Sequence, residues 1–227
     1  MTDGFLFGVF PYLAVALAVV GGIQRYRTQR HTVTAHSSQL LESRLQYWGS
    51  VPWHNAIILV LLGHLVAVFL PGAVAALLGS ATRLVVVEVT GLALGLLALL
   101  GLLVLMVRRL RLGAVTVPLD WVVMLLLLLQ VATGVFIAWS LRWGLAWFPH
   151  VVSPWLGSLA RLGPRTDLMA SLPLVVKVHA VNAFVLIALL PYTRLVHIVT
   201  VPFGYLWRLP QLVIWRRPPS ATGEGTR

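Results

Sequence analysis

Five runs, each about 20 residues long and almost free of charge, constrain this chain more than any motif: Phe5 to Gln24, Trp53 to Leu70, Leu84 to Val107, Leu119 to Leu141 and Leu172 to Thr193. At 1.5 Å of rise per residue a helix of that length crosses a hydrocarbon layer roughly 30 Å thick. Lipid offers no partner to backbone N–H and C=O groups, so a span must satisfy them internally. A barrel would do so with strands that alternate polar and apolar residues, and no such alternation is present. The expectation is an all-α integral membrane bundle of five transmembrane helices, forming one domain over residues 1–217. Residues 218–227, PPSATGEGTR, carry no packing pattern and are expected to be disordered. The first run lacks the basic start and small-residue cleavage site of a secretory signal and is expected to be retained. Pro71-Gly72 ends the second run, Arg108-Arg109 ends the third, and Pro191 is expected to bend the fifth as it continues into the basic C-terminal segment.

Composition agrees: 59% of residues are hydrophobic and 10% charged, far below the roughly 25% charged of soluble domains. The net charge of +11 reads as topology. With five spans and the N-terminus outside, twelve of the 17 Lys and Arg fall in inner segments, among them Arg25, Arg44, Arg109 and Arg194. The positive-inside rule therefore predicts a cytoplasmic C-terminus, with basic loops against anionic headgroups. Basic and aromatic residues are not interleaved as a nucleic-acid platform requires, so no nucleic-acid partner is expected.

The chain has no cysteine, which excludes disulfides, covalent c-type haem and iron–sulfur ligation from it. Histidine remains as a ligand. Of seven histidines, four lie in or at the ends of the apolar runs, His54 and His64 on the second, His179 and His197 on the fifth. An ionisable side chain in lipid is costly and marks a functional site by default. A single such histidine is more often a packing residue; four on two helices form a pattern.

Ten residues separate His54 from His64, about 15 Å of helix, and eighteen separate His179 from His197, about 27 Å on a continuous helix. The second run goes outward and the fifth inward, so His54 stands level with His197 near the cytoplasm and His64 level with His179 near the outer face. The two levels are then expected on the order of 20 Å apart, the mean of the two rises. A zinc site would gather three or four ligands at one height. Two imidazoles at each of two heights suit two haems b, closed to oxygen and built for electron transfer.

The run Lys177 to Arg217, KVHAVNAFVLIALLPYTRLVHIVTVPFGYLWRLPQLVIWRR, resembles the last helix and tail of the gamma subunit of membrane-bound respiratory nitrate reductase, and RLVHI is its most telling piece. PYLAVALAVVGGIQRYR, SSQLLE from Ser37, and WHNAIILVLLGH ending at His64 follow the same family in order and spacing. The resemblance is weakest between Trp143 and Leu172. It implies a di-haem cytochrome b in a prokaryotic plasma membrane that oxidises quinol near the outer face. It further implies electron delivery to a cytoplasmic iron–sulfur beta subunit, with nitrate reduced on a molybdenum-containing alpha subunit. His64 and His179 would ligate the distal haem, His54 and His197 the proximal one. Quinol from the membrane pool would bind near Gly63, His64 and Arg83, where the family has Lys in place of Arg83. Related cytochromes b of sulfur metabolism or heterodisulfide reduction are the alternative within this class. A non-redox transporter is the alternative outside it, although internal repeats and paired broken helices are absent from the sequence.

Other polar residues have blander readings. Arg25, Arg194 and the Arg108-Arg109 pair are candidate propionate contacts but serve equally as inner anchors. Glu88 could take a quinol proton or pair with Arg83. Asp120 is expected to favour the N-terminal dipole of the fourth helix, and Asn182 to hydrogen-bond within the bundle. His31 and His36 are read as solvated, and His150 as part of an outer loop whose Trp143, Trp147 and Trp155 form an interfacial aromatic belt. Gly91, Gly95 and Gly101 suit close helix packing.

Overall fold

The computed structural model describes residues 2–28, 44–112, 118–141 and 148–198. The described residues are helical with no strand, and five helices are long and apolar enough to cross a membrane: Thr2–Thr28, Arg44–Phe69, Ala81–Arg111, Pro118–Ser140 and Leu174–Tyr192. These are the five runs of the sequence, with ends moved by a few residues, except that the second span begins nine residues before Trp53. Pro52 lies inside this helix; such a proline is tolerated in a membrane span where neighbouring groups re-satisfy the freed carbonyl. Outward-facing side chains such as Val20, Leu62, Leu100 and Phe136 are more than half exposed, as lipid-facing residues should be. The tail 218–227, His31, His36, Trp143 and Trp147 lie outside the described residues.

The spans pack in the order second, third, fourth, fifth, first, and the second and fifth hardly approach each other by backbone. The closest contact joins the second and third. A Cβ on Gly101 would fall 2.7 Å from the Trp53 nitrogen and 2.9 Å from the Gly49 carbonyl oxygen, so the packing role read for this glycine holds. Around it Trp53, Ala56, Ala98, Leu102, Met124 and Val131 form the central core.

One end of the bundle carries Arg25, Arg109, Asp120 and Arg194 and is called here the basic end. At the opposite, far end a second core gathers Phe7, Val152, Trp155, Leu159 and Met169. Trp155 belongs to the short helix Ser153–Ala160 and is 1% exposed. The surface belt expected for it is therefore corrected: its indole N–H donates to the Phe7 carbonyl at 3.0 Å. That carbonyl needs an outside donor, because the residue four positions on is Pro11, without an N–H. The first span meets the same difficulty with a π turn over Phe5–Val9.

The fifth span departs most from expectation. Pro191 does not merely bend it: the α-helix ends at Leu189, a 3-10 turn covers Leu190–Tyr192, Thr193 is extended at φ −124° and ψ 179°, and a second 3-10 turn runs Arg194–Ile198. Arg25 of the first span donates to the freed carbonyls of Pro191 and Thr193, doing for this helix end what a C-cap does elsewhere. The Thr193 hydroxyl accepts from the Leu195 N–H at 3.2 Å and starts the new turn. His179 and His197 are thus not on one continuous helix.

Candidate functional site

Despite that break, the four histidines meet in the two pairs read from the sequence. His54 and His197 face each other at the basic end with ring centroids 6.1 Å apart and planes at 56°. His64 and His179 face each other toward the far end at 6.5 Å and 26°. The second span is unbroken between its two histidines, so the levels lie about 15 Å apart along it. This replaces the larger separation expected from a continuous fifth helix. Eighteen residues cover the same height as ten because the chain turns at Thr193.

The pairs fit a planar metal cofactor held axially. Metal–imidazole bonds of about 2.0 Å on each side, with about 1.1 Å from each nitrogen to its ring centre, place the centres about 6.2 Å apart. Both observed separations lie close to that value. Among the described residues no group of three or more His, Cys, Asp or Glu side chains converges.

Hydrogen bonds set the ring tautomers. Nδ1 of His54 lies 2.8 Å from the Ser50 carbonyl oxygen, Nδ1 of His64 2.8 Å from that of Val60, and Nδ1 of His197 2.6 Å from that of Arg194. A carbonyl only accepts, so Nδ1 carries the proton in each ring and Nε2 is the nitrogen with the lone pair.

His179 is held from another helix. Its Nδ1 lies 2.9 Å from the Thr133 hydroxyl and its Nε2 3.0 Å from the Gln130 amide nitrogen. The Thr133 hydroxyl proton goes to the carbonyl of Leu129 at 2.7 Å or of Gln130 at 3.0 Å, so toward the ring it accepts. On the other side the Leu126 carbonyl orients the Asn182 amide at 2.9 Å, and Asn182 donates to Gln130 Oε1 at 2.7 Å. The Gln130 amide N–H must then point at Nε2. Both chains, each anchored on backbone, assign the same tautomer. Gly134 completes the seat, since a Cβ there would press on His179 Cε1 at 3.2 Å.

Asp120 does more than favour a helix dipole. It is 7% exposed, and its carboxylate oxygens lie 3.3 Å from Arg109 of the third span and 3.3 Å from Arg194 of the terminal turn. It ties the RLVHI turn, and so His197, to the bundle. Arg108 is also buried.

At the far end the ring of Phe148 stands edge-on to His64 at 5.9 Å. Arg83 donates from Nε to the Leu77 carbonyl at 2.7 Å and from Nη2 to that of Ala76 at 3.3 Å, closing the short helix Pro71–Leu78. A Cβ on Gly63 would meet nothing within 4 Å. A groove of about 450 Å³ between the first, fourth and fifth spans is lined by Phe7, Leu129, Val181 and Asn182, with Asp3 and Lys177 at its edge; those two pair at 2.8 Å. His150 is exposed in the π turn Phe148–Val152.

Sequence reading missed Gln130, Thr133 and Phe148. The first two had a usable signal: they are polar residues one turn apart in an otherwise apolar span, where lipid would penalise them without a partner. Phe148 had none, because one aromatic residue in a loop resembles any other.

The family described as nitrate reductase gamma subunit matches residues 3–216. The chain is 34% identical over 224 residues to the nitrate reductase gamma chain of Bacillus subtilis, covering 96% of this chain and 99% of that one. It is 29% identical over 220 residues to the respiratory nitrate reductase 2 gamma chain of Escherichia coli, covering 94% and 97%. It is also 36% identical over 209 residues to the nitrate reductase-like protein NarX of Mycobacterium tuberculosis, covering 88% of this chain and 32% of that longer one. A family match over nearly the whole chain, with five spans beneath it, means that this multi-pass prokaryotic membrane protein belongs to the nitrate reductase gamma subunit family and is a membrane subunit of a nitrate reductase.

Proposed function

We propose that the chain is the di-haem, quinol-oxidising subunit of its complex, with His54 and His197 the axial ligands of one haem b and His64 and His179 those of the other. The observation that carries this reading is the meeting of four intramembrane imidazoles in two facing pairs, 6.1 and 6.5 Å between ring centres, at two levels of one bundle. Held by these residues, haem would supply a one-electron iron couple for electron transfer. The far end is the outer side in this reading, and the basic end faces the cytoplasm, as the distribution of arginine favours. Quinol binds near Gly63, His64 and Arg83, loses two electrons inward and releases two protons outward. Arg83 has an ordering role at that place through the helix end it caps. Asp120 and Arg25 hold the RLVHI turn so that His197 stays opposite His54, where electrons leave for an iron–sulfur beta subunit. Nitrate is reduced beyond it, on a molybdenum-containing alpha subunit.

The test is the haem-to-protein ratio of the purified complex, with a dithionite-reduced spectrum. Two b-type haems per gamma chain are expected, and a complex with none in this subunit would defeat the reading.

A further inference from the structure

We propose that Thr133 is a positioning residue for His179, holding the Nδ1–H of this one histidine from a neighbouring span and thereby tuning the far-end site separately from the basic-end site. The proposal rests on the reading of His179 as a haem ligand. Three of the four histidines have Nδ1 held by a carbonyl three or four residues back in their own chain segment. His54 Nδ1 also has the Ser50 hydroxyl of its own helix at 3.1 Å, whereas His179 is held from another span, by the Thr133 side chain at 2.9 Å. The Thr133 hydroxyl is committed as donor to the Leu129 or Gln130 carbonyl, so its role toward the ring is that of an acceptor.

The two nitrogens of His179 differ in what coordination would ask of them. Nε2 is the nitrogen a metal would take, and the Gln130 amide that now donates to it at 3.0 Å would have to give up that bond. The Thr133 bond is on the other nitrogen, so coordination at Nε2 would not compete with it. An acceptor on the non-ligating nitrogen raises the basicity of a ligand imidazole and fixes the ring's orientation, and losing such a partner typically weakens metal binding about 10- to 100-fold. A more basic axial ligand favours the oxidised iron. Removing the acceptor is therefore expected to raise the far-end midpoint potential and leave the basic-end potential in place.

The experiment compares Thr133→Val, which keeps the shape and removes the oxygen, with Thr133→Ser, which keeps the oxygen. Potentiometric titration of the purified complex should show the far-end potential raised in the valine variant and near wild type in the serine variant, with far-end haem retention about 10-fold weaker for valine. A valine variant at the wild-type potential, or serine and valine shifting alike, would overturn the proposal. In haem-free protein with ¹⁵N-labelled histidine, the His179 Nδ1–H resonance should move upfield in Thr133→Val, and an unmoved resonance would overturn it equally. Failure of the haem reading itself would appear separately, as a wild-type complex without the far-end haem, while the haem-free spectrum would still decide the role of Thr133.

Discussion

At the basic end His54 and His197 are both exposed, and each is held by its own backbone; at the far end His64 and His179 are half-buried, with His179 seated by Gln130, Thr133 and Gly134 of another span. The two pairs present nearly the same spacing between rings, so the difference lies in what stands behind them. The basic-end pair depends on a short 3-10 turn that Asp120 and Arg25 tie to the bundle. The far-end pair sits on two regular helices and draws its order from a third. A site at a bundle end can be placed by ion pairs, since water is near. A site deeper in the bundle needs hydrogen bonds whose every member is satisfied, because an unpaired polar group there costs about 1–3 kcal/mol.

Substitution can break that contrast at its strongest point. His64→Ala or His179→Ala is expected to remove the far-end haem, halve the haem content and abolish quinol oxidation. His54→Ala or His197→Ala should remove the other haem and spare the far-end spectrum. Haem content and reduced spectra of the four variants decide this, and retention of both haems in all four would end the ligand assignment.

Asp120→Ala should act only on the basic end. It leaves Arg109 and Arg194 facing each other, and loss of one partner from a buried ion pair costs about 3 kcal/mol. Reduced thermal stability and loss of the His54–His197 haem ahead of the other are expected; equal loss of both would show that Asp120 serves the whole bundle.

Gly134→Val addresses the far end by packing alone. The added methyl groups must displace the His179 ring, at a cost of about 1–3 kcal/mol for overpacking. Altered far-end haem spectra with an unchanged basic-end signal are the expected result. The smallest effect belongs to Arg83→Ala, which should slow quinol turnover severalfold, with both haems retained on spectral assay. An unchanged rate would remove Arg83 from the quinol site.

The membrane makes part of this protein readable without coordinates. Because lipid forces each span to be helical and apolar along about 20 consecutive residues, the five runs stand out in one dimension, and four histidines stand out against them. Pairing by level followed from antiparallel spans. The continuous helix expected from His179 to His197 is broken, although His54 faces His197 and His64 faces His179 as expected. Pro191 was expected to bend the helix, whereas the α-helix ends just before it and Thr193 redirects the chain.

Composition and periodicity thus determine the bundle, its spans and the histidines, because a membrane imposes its demands on consecutive residues. Only the tertiary structure decides that Asp120 bridges two arginines, that Trp155 is buried against Phe7 and that Thr133 rather than local backbone holds His179. Those partners stand 148 residues apart for Trp155 and Phe7 and 46 apart for Thr133 and His179. A hydrogen bond between distant segments depends on where two backbones pass each other, and no local pattern of residues encodes that.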